Sequence, residues 1–105
     1  MLRIKRLNKM ADSNLLFEIF LNDIKLGDIK NDDTVIYDLK DGDYNLYIKC
    51  NDMISDKIYF SYDDHTTIEF ECYPKYNNYN VVRSFYKTVM NKKGLELKKV
   101  KDFYV

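Results

Sequence analysis

The stretch Thr66-Thr67-Ile68-Glu69-Phe70-Glu71-Cys72 shows the pattern that decides the fold of this 105-residue chain. Ile68, Phe70 and Cys72 alternate with polar residues along it. Successive side chains of a β-strand point to opposite faces of the sheet, so this alternation predicts a strand with one buried face. A register shift of one residue would bury two glutamates, which indicates the face that is inside.

The same alternation extends back along the chain to residue 15. It predicts five more strands, at residues 15–21, 24–29, 34–39, 44–50 and 58–60. Leu2 and Ile4 indicate another strand near the N-terminus, and residues 51–56 are predicted to form a loop. Short polar turns, of which Asn22-Asp23 and Asp41-Gly42-Asp43 are the clearest, separate the strands. About seven such strands are typical of an antiparallel sandwich or barrel, so we predict a mainly β fold.

The alternation also identifies the side chains that form the core. One face of each predicted strand is apolar, and these faces are expected to pack against one another away from water. The residues predicted to face inward are Phe17, Ile19, Leu21, Val35, Tyr37, Leu39, Leu46, Ile48, Cys50, Ile58, Phe60, Ile68 and Phe70.

The pattern changes beyond Pro74. Val82, Phe85 and Val89 recur at helical spacing, although the β-branched residues among them also fit a strand. A basic strand-like stretch follows from Leu95. We therefore predict a β-sandwich over residues 1–75 and a basic C-terminal extension over residues 76–105. This extension is expected to pack on the same domain and to contain a short helix and/or strand.

Charge is distributed unevenly, although the formal net charge of the chain is zero. Residues 1–10 carry +4, residues 11–72 carry −10 and residues 73–105 carry +6. The basic ends could bind phosphates or an anionic membrane, or they could pack beside acidic strands of the same chain. We expect the second arrangement, because the acidic body would repel a polyanion. Nucleic acid and membrane surfaces are therefore not expected partners.

Two stretches resemble a known family. Residues 19–29 (IFLNDIKLGDI) are similar to a block with a glycine turn, and residues 41–49 (DGDYNLYIK) are similar to the acidic-turn block that follows it. Together with the basic strand at residues 94–98, they resemble small bacterial β-sandwich proteins of the PEGA-like group. The resemblance implies an immunoglobulin-like or transthyretin-like sandwich over about residues 2–72, without known catalytic residues.

Little in the sequence indicates catalysis. Met1–Arg6 lacks the apolar segment of a secretory signal, so we expect a cytoplasmic location in which Cys50 and Cys72 stay reduced. Their spacing matches no zinc pattern, and no phosphate-binding or nucleophile motif occurs. His65, the single histidine, could act as a base with a cysteine, but a solvated turn residue is the expected role. We predict no enzyme, no cofactor and no small-molecule substrate.

Aspartates are concentrated in the predicted turns. If the strands form an up-and-down meander, the turns at residues 22–23, 41–43 and 62–65 lie at one end of the sandwich. Calcium takes oxygen ligands from such loops, but aspartate also favours turns for backbone reasons. We predict no metal site. The weak candidates for metal ligands are Asp23, Asp41, Asp43, Asp63 and Asp64.

Aromatic and basic residues are the remaining candidates for contact with a partner. Tyrosine is enriched in protein interfaces because it supplies contact area at a low cost in entropy. Phe20, Tyr47, Tyr59 and Tyr62 are predicted to face outward, where they contact a partner or lie beneath the C-terminal segment. The candidate interaction residues are Phe20, Tyr47, Tyr59, Tyr62, Tyr76, Tyr79, Lys92, Lys93, Lys98 and Lys99.

These patterns predict a non-catalytic β-sandwich interaction module that acts through protein–protein contact or self-association. One alternative is a mobile-element accessory protein, such as an immunity or anti-defence factor, that binds a basic partner through its acidic face. A second alternative is anion or nucleic-acid binding through the basic C-terminal segment.

Overall fold

The computed structural model describes residues 1–76 and 93–104, with side chains described up to Asp102 in the second range. These residues form nine strands in two sheets. The strands are β1 (Leu2–Arg6), β2 (Phe17–Leu21), β3 (Ile24–Ile29), β4 (Thr34–Tyr37), β5 (Gly42–Cys50), β6 (Met53–Ile54), β7 (Ile58–Tyr62), β8 (Thr66–Pro74) and β9 (Leu95–Tyr104). None of the described residues belongs to a helix that could cross a membrane.

The first sheet has the strand order β4-β1-β8-β9. Its longest pairing is antiparallel and joins β8 to β9, from Thr66 opposite Tyr104 to Pro74 opposite Leu95. The prediction of a strand near the end of the chain is thus confirmed. The prediction of purely antiparallel pairing is wrong at one place, because β1 runs parallel to β8. Such a pairing requires a long connection, and here the chain builds the second sheet between the two strands.

The second sheet has the order β3-β2-β5, and β6 and β7 both pair with the remaining edge of β5. β6 lies within the predicted loop 51–56, so that prediction is wrong for Met53–Ile54. Ser55 explains the break between β6 and β7. Its hydroxyl accepts a hydrogen bond from the Ile48 amide at 2.9 Å, and its own amide donates to the Ile48 carbonyl at 2.9 Å. A side chain replaces one backbone partner there, as in a bulge.

The turn between β2 and β3 forms as predicted. Asn22 and Asp23 have φ angles of 51° and 64°, in the left-handed region that asparagine and aspartate tolerate better than other residues with a side chain. The Asn22 amide also donates to the Asn45 carbonyl at 2.9 Å, which fixes this turn against the start of β5.

The inner faces of both sheets contribute to one hydrophobic core, as in a β-sandwich. All thirteen residues predicted to face inward are buried or half-buried. The half-buried ones lie on or next to edge strands β4 and β7, where no neighbouring strand covers them. They are Val35, Tyr37, Leu39, Ile58 and Phe60. The predicted helical spacing at Val82, Phe85 and Val89 lies outside the described residues.

Gly27 of β3 allows a close approach between the two sheets. A Cβ atom at this position would lie 2.5 Å from the Tyr37 hydroxyl oxygen and 3.7 Å from the ring carbon that bears it. Tyr37 belongs to β4 of the first sheet, and burial raises the pKa of its hydroxyl. A glycine is thus needed at Gly27 for a packing reason.

Gly27→Ala should therefore reduce the free energy of unfolding by about 1–2 kcal/mol, because the added methyl group displaces the tyrosine. Tyr37→Phe removes the oxygen at 2.5 Å and leaves the ring at an ordinary contact distance. We expect the double variant to lose less stability than the sum of the single variants, as measured by urea unfolding. Additive losses would show that the two positions do not meet.

Candidate functional site

The sheet edges are the places where a β-sandwich most readily binds another chain, because they carry unpaired backbone groups. Among the described residues the edge strands are β4 and β9 in the first sheet, and β3 and the β6–β7 side in the second. β9 carries exposed Lys98, Lys99 and Lys101, and β3 carries Lys25 and Asp28. Charges of this kind discourage edge-to-edge pairing.

Three described edge strands, β4, β6 and β7, contain no charged residue, and β6 has only two residues. β4 has four residues and is enclosed by acidic ones, with Asp33 before it and Asp38 after it. β7 has five residues, Ile-Tyr-Phe-Ser-Tyr, with Lys57 before it and Asp63 after it. No described strand pairs with the second edge of β7. Of the four edges, β7 is therefore the longest one without a protecting charge.

Side chains of β7 alternate between the core and the outer face of the second sheet. Phe60 faces inward, with its ring centroid 5.5 Å from that of Phe70 in the opposite sheet and 5.8 Å from that of Tyr44. Tyr59 and Ser61 face outward, and 74% of Tyr59 is exposed to solvent. The strand thus exposes Tyr59 to solvent next to Phe60, which is partly buried against the core.

A cleft lies on each side of this strand. One cleft, of about 450 Å³, extends over the start of β5 and includes Asn22 and Asp43. The other, of about 320 Å³, lies between β7 and the first sheet and includes Thr66, Lys99 and Asp102. Tyr59, Phe60 and Ser61 line both clefts. We call β7 together with these two clefts the β7 edge.

The other aromatic residues predicted to face outward behave differently. Phe20 and Tyr47 stack on the outer face of the second sheet, with ring centroids 5.0 Å apart and planes 4° apart. Lys57 covers the ring of Tyr47, with its Nζ 5.3 Å from the ring centroid. As a result Tyr47 is only 9% exposed. These rings face outward as predicted, but they are occupied by neighbours from their own chain.

The prediction that Tyr62 faces outward is wrong. β7 continues to Tyr62, which has the same parity as Phe60 and points inward, and the residue is 5% exposed. Its hydroxyl accepts a hydrogen bond from the N-terminal ammonium group at 2.5 Å. Tyr76 is also 5% exposed, and its hydroxyl donates to the Asp12 carboxylate. Neither tyrosine offers a surface to a partner, and Tyr79 lies outside the described residues.

Two of the four lysines predicted to bind a partner contact acidic groups of their own chain, and Lys98 lies over the Tyr73 ring, with its Nζ 5.7 Å from the centroid. Lys93 Nζ lies 2.6 Å from Asp56 Oδ1, and this hydrogen bond lowers the pKa of Asp56. Lys99 Nζ lies 3.0 Å from Asp102 Oδ2. Lys92 lies outside the described residues.

The sheet register brings the basic ends of the chain to its acidic body. Glu69 of β8 lies between Arg3 of β1 and Lys101 of β9, with Lys101 Nζ 3.9 Å from the Glu69 carboxylate. Glu71 repeats this arrangement two residues further on, opposite Lys98 of β9. The expectation that the basic ends pack beside acidic strands of the same chain is confirmed for these residues.

The aspartate turns gather at one end of the second sheet. Leu21 lies opposite Leu46 and Gly42 opposite Tyr62, so the turns after β2 and β7 lie beside the start of β5. The strands do not form the meander that we assumed, but these three turns still share an end. Within the described residues, no three acidic, histidine or cysteine side chains are arranged to hold a metal ion.

Most of these aspartates take part in local hydrogen bonds. Asp23 binds Lys57 at 3.0 Å, and this contact lowers the pKa of Asp23. Asp43 accepts a hydrogen bond from Ser61 at 2.7 Å. The remaining candidates lie at the same end of the sheet: Asp63 accepts from the His65 amide at 2.9 Å, Asp64 lies 3.6 Å from the His65 ring, and Asp41 precedes β5.

The histidine and the cysteines do not meet. His65 is exposed in the turn before β8, while Cys72 is buried seven residues further along the chain, or about 23 Å away at 3.3 Å per residue. Cys50 is buried at the far end of β5. Both cysteines are thiols, and burial raises the pKa of Cys72 to about 12. A thiolate nucleophile is therefore not available at Cys72 near neutral pH.

Among the described residues Arg6 forms the most extensive polar contact of the interior, and it was not among the predicted core or site residues. The residue is completely buried, and its guanidinium donates to the carbonyls of Leu15 at 2.6 Å, Ile29 at 3.0 Å and Asp12 at 2.7 Å. It also lies over the ring of Phe17, 3.6 Å from its centroid. Burial lowers the pKa of Arg6, and nearby groups partly offset this effect. The one signal in the sequence was the position of Arg6. It lies two and four residues after Ile4 and Leu2, so its side chain projects from the same buried face of β1.

Comparison with protein-family models, with curated proteins and with solved structures finds no match for this chain.

Replacing Arg6 by methionine should destabilise the protein strongly. The change keeps most of the side-chain volume but leaves three buried carbonyls without their donor, so we expect a loss of about 3 kcal/mol in urea unfolding. Arg3→Met is the matched control, because Arg3 lies on the outer face of the same strand. It should cost less than about 1 kcal/mol. Equal losses would contradict a structural role for the Arg6 contacts.

Cys72 should make stability depend on alkaline pH. The pKa of the Cys72 thiol is about 12 in the folded protein, whereas the ordinary value for cysteine is 9.0. As the pH rises, the thiol therefore loses its proton in the unfolded chain before it does so in the folded one. The contribution of the buried, protonated thiol to the free energy of unfolding is complete below pH 9 and is lost as the pH rises towards 12. Wild type should therefore lose about 1.4 kcal/mol per pH unit more than Cys72→Ala over this window. Parallel pH profiles of the two proteins in urea unfolding would show that the thiol is not buried.

Proposed function

We propose that this chain is a non-catalytic interaction module that binds an extended segment of another polypeptide at the β7 edge. The single observation that carries the proposal is an uncharged edge strand that no other described strand pairs with, and whose 74% exposed tyrosine lies between two clefts. The incoming segment adds a strand to the second sheet and satisfies the free backbone groups of β7.

The clefts give this edge the means to select its partner. Strand addition supplies affinity through main-chain hydrogen bonds, while alternate side chains of the added strand enter pockets on each face of the sheet. Here the outer pocket is bounded by Tyr59 and Asp43, and the inner one by Phe60, Thr66 and Asp102. Partner side chains with an apolar body and a polar end fit both linings.

The same arrangement supports the remaining elements of the proposal. Two facing sheets whose neighbouring strands are often not consecutive in the chain are compatible with an immunoglobulin-like or transthyretin-like sandwich. Cys50 and Cys72, both buried thiols, suit the reducing conditions of a cytoplasm.

A basic partner is the second candidate, in keeping with an immunity or anti-defence role. It is favoured by the aspartates that collect at the Tyr62 end of β7, where Asp43, Asp63 and Asp64 share one end of the sheet. Rim charges of this kind mainly accelerate association, so such a complex would weaken steeply as salt is added. Anion binding by the C-terminal lysines has less support, because Lys99 and Lys101 contact acidic residues.

Selection of peptides from a random displayed library tests the main proposal. Peptides selected on the wild-type chain should bind Tyr59→Lys at least about tenfold more weakly, since an interface tyrosine is lost and a charge enters the edge. Ile24→Lys is the matched control, because Ile24 is 72% exposed on the other edge strand of the same sheet. It should bind like wild type.

Two results of the peptide selection would contradict the proposal. Peptides that bind both lysine variants equally well, or that lose affinity only for Ile24→Lys, would place the binding surface away from β7. Thermal unfolding of both variants verifies that neither substitution disturbs the fold, since both replaced side chains are mostly in solvent.

A further inference from the structure

We infer that the segment that binds at the β7 edge is β7 of a second copy of this chain, paired antiparallel about a two-fold axis at Phe60. This inference rests on the proposed function, because it names the partner of the same edge. A two-fold axis brings the same surface of both copies together, so a strand that binds itself must be complementary to its own reverse.

The length and parity of β7 select one register. Residues that lie opposite each other in a sheet must project from the same face. Only pairing of Phe60 with Phe60 of the second copy meets this condition and keeps all five residues of β7 opposite a partner. In this register Tyr59 lies opposite Ser61, and Ile58 lies opposite Tyr62.

Side-chain sizes match in this register. On the outer face each pair joins the large Tyr59 to the small Ser61, which leaves room for the ring that is 74% exposed in the single chain. On the inner face the half-buried Phe60 meets its own copy. Cross-strand aromatic pairs are among the contacts that stabilise sheets most. Pairing therefore covers the apolar side chains that β7 leaves partly in solvent.

Charges beside β7 are also self-complementary. Lys57 precedes the strand and Asp63 follows it, so antiparallel pairing places each lysine opposite an aspartate. Lys57 also binds Asp23 of its own chain at 3.0 Å, so the aspartate of the second copy would be an additional partner. One step further out, Asp56 lies opposite Asp64, but Asp56 already binds Lys93 at 2.6 Å. Opposite charges across a strand pair stabilise it, whereas like charges directly opposite destabilise it.

β4 and β9 lack this property. β4 has four residues, so no register that meets the same-face condition keeps all of them opposite a partner. Three exposed lysines line β9, and they would repel a second β9. β7 is thus the described edge whose composition, flanking charges and exposed tyrosine all favour a second copy.

Mass measurement and site-specific cross-linking of the full chain test this inference together. Analytical ultracentrifugation of wild type should show a concentration-dependent dimer that Tyr59→Lys abolishes and Ile24→Lys retains. For the register, Tyr59→Cys and Ser61→Cys are purified separately, mixed and mildly oxidised. Directly opposed Cα atoms lie about 4.5–5.5 Å apart, within the range of a disulfide.

The cross-link should form in the mixture and not within either variant alone. Two Ser61 positions of the dimer lie about 8 Å apart, beyond the reach of a disulfide. Cross-linking through the native cysteines Cys50 and Cys72, which are buried, is the background of this experiment, and it is measured in the wild-type chain. A mixture of Ile24→Cys with Ser61→Cys should remain monomeric on a denaturing gel.

Each outcome decides a different point. A wild-type chain that stays monomeric at the highest attainable concentration would overturn the second copy as partner. The proposed function would survive that result if selected peptides still bound in a Tyr59-dependent manner. A dimer that persists in Tyr59→Lys and gives no cross-link between positions 59 and 61 would overturn the inference. If no Tyr59-dependent peptide were found either, the proposed function would fail with it.

Discussion

The buried guanidinium of Arg6 is the interaction on which the arrangement of the two sheets depends. It belongs to β1 of the first sheet, yet it donates to Ile29 at the end of β3 and lies over the ring of Phe17 in β2. Its other hydrogen bonds hold the carbonyls of Asp12 and Leu15 in the connection between the sheets. Burying a charge is costly unless hydrogen bonds compensate it, so the three segments that accept from the Nη1 and Nη2 groups must stay within their reach.

Electrostatics within the first sheet add to this constraint. The acidic strand β8 lies between the basic strands β1 and β9, so the two ends of the chain are held by the middle of the same sheet. Each exposed ion pair contributes little by itself. Their common register nevertheless places the basic ends of the chain beside its acidic middle. The exposed residues Lys98, Lys99 and Lys101 also protect the β9 edge against pairing.

Much of the local structure could be predicted from the sequence. Period-two alternation located seven of the nine described strands and the buried face of β2, β5 and β8, because a strand with one buried face has no other acceptable register. The left-handed turn at Asn22-Asp23 followed from the residue types alone. Prediction failed at Met53–Ile54, because the Ser55 hydroxyl that holds this short strand against β5 acts through a tertiary contact.

Prediction of the candidate site was less complete for the same reason. The sequence selected Tyr59 together with Tyr62 and Tyr76, and nothing in their local pattern separates the exposed ring from the two buried ones. Exposure depends on which strand ends at an edge and on which groups lie beneath it. The N-terminal ammonium and Asp12 reach Tyr62 and Tyr76 from 61 and 64 residues away, respectively.

The sequence by itself determined most of the strands and of their inward faces, the principal turns and the distribution of charge. These properties are local, since side-chain alternation and backbone preference act between neighbouring residues. Only the tertiary structure decided that β1 runs parallel to β8, that Arg6 is an interior residue and that β7 is an edge. Strand order depends on contacts between residues far apart in the chain, which the alternation of a single strand does not encode.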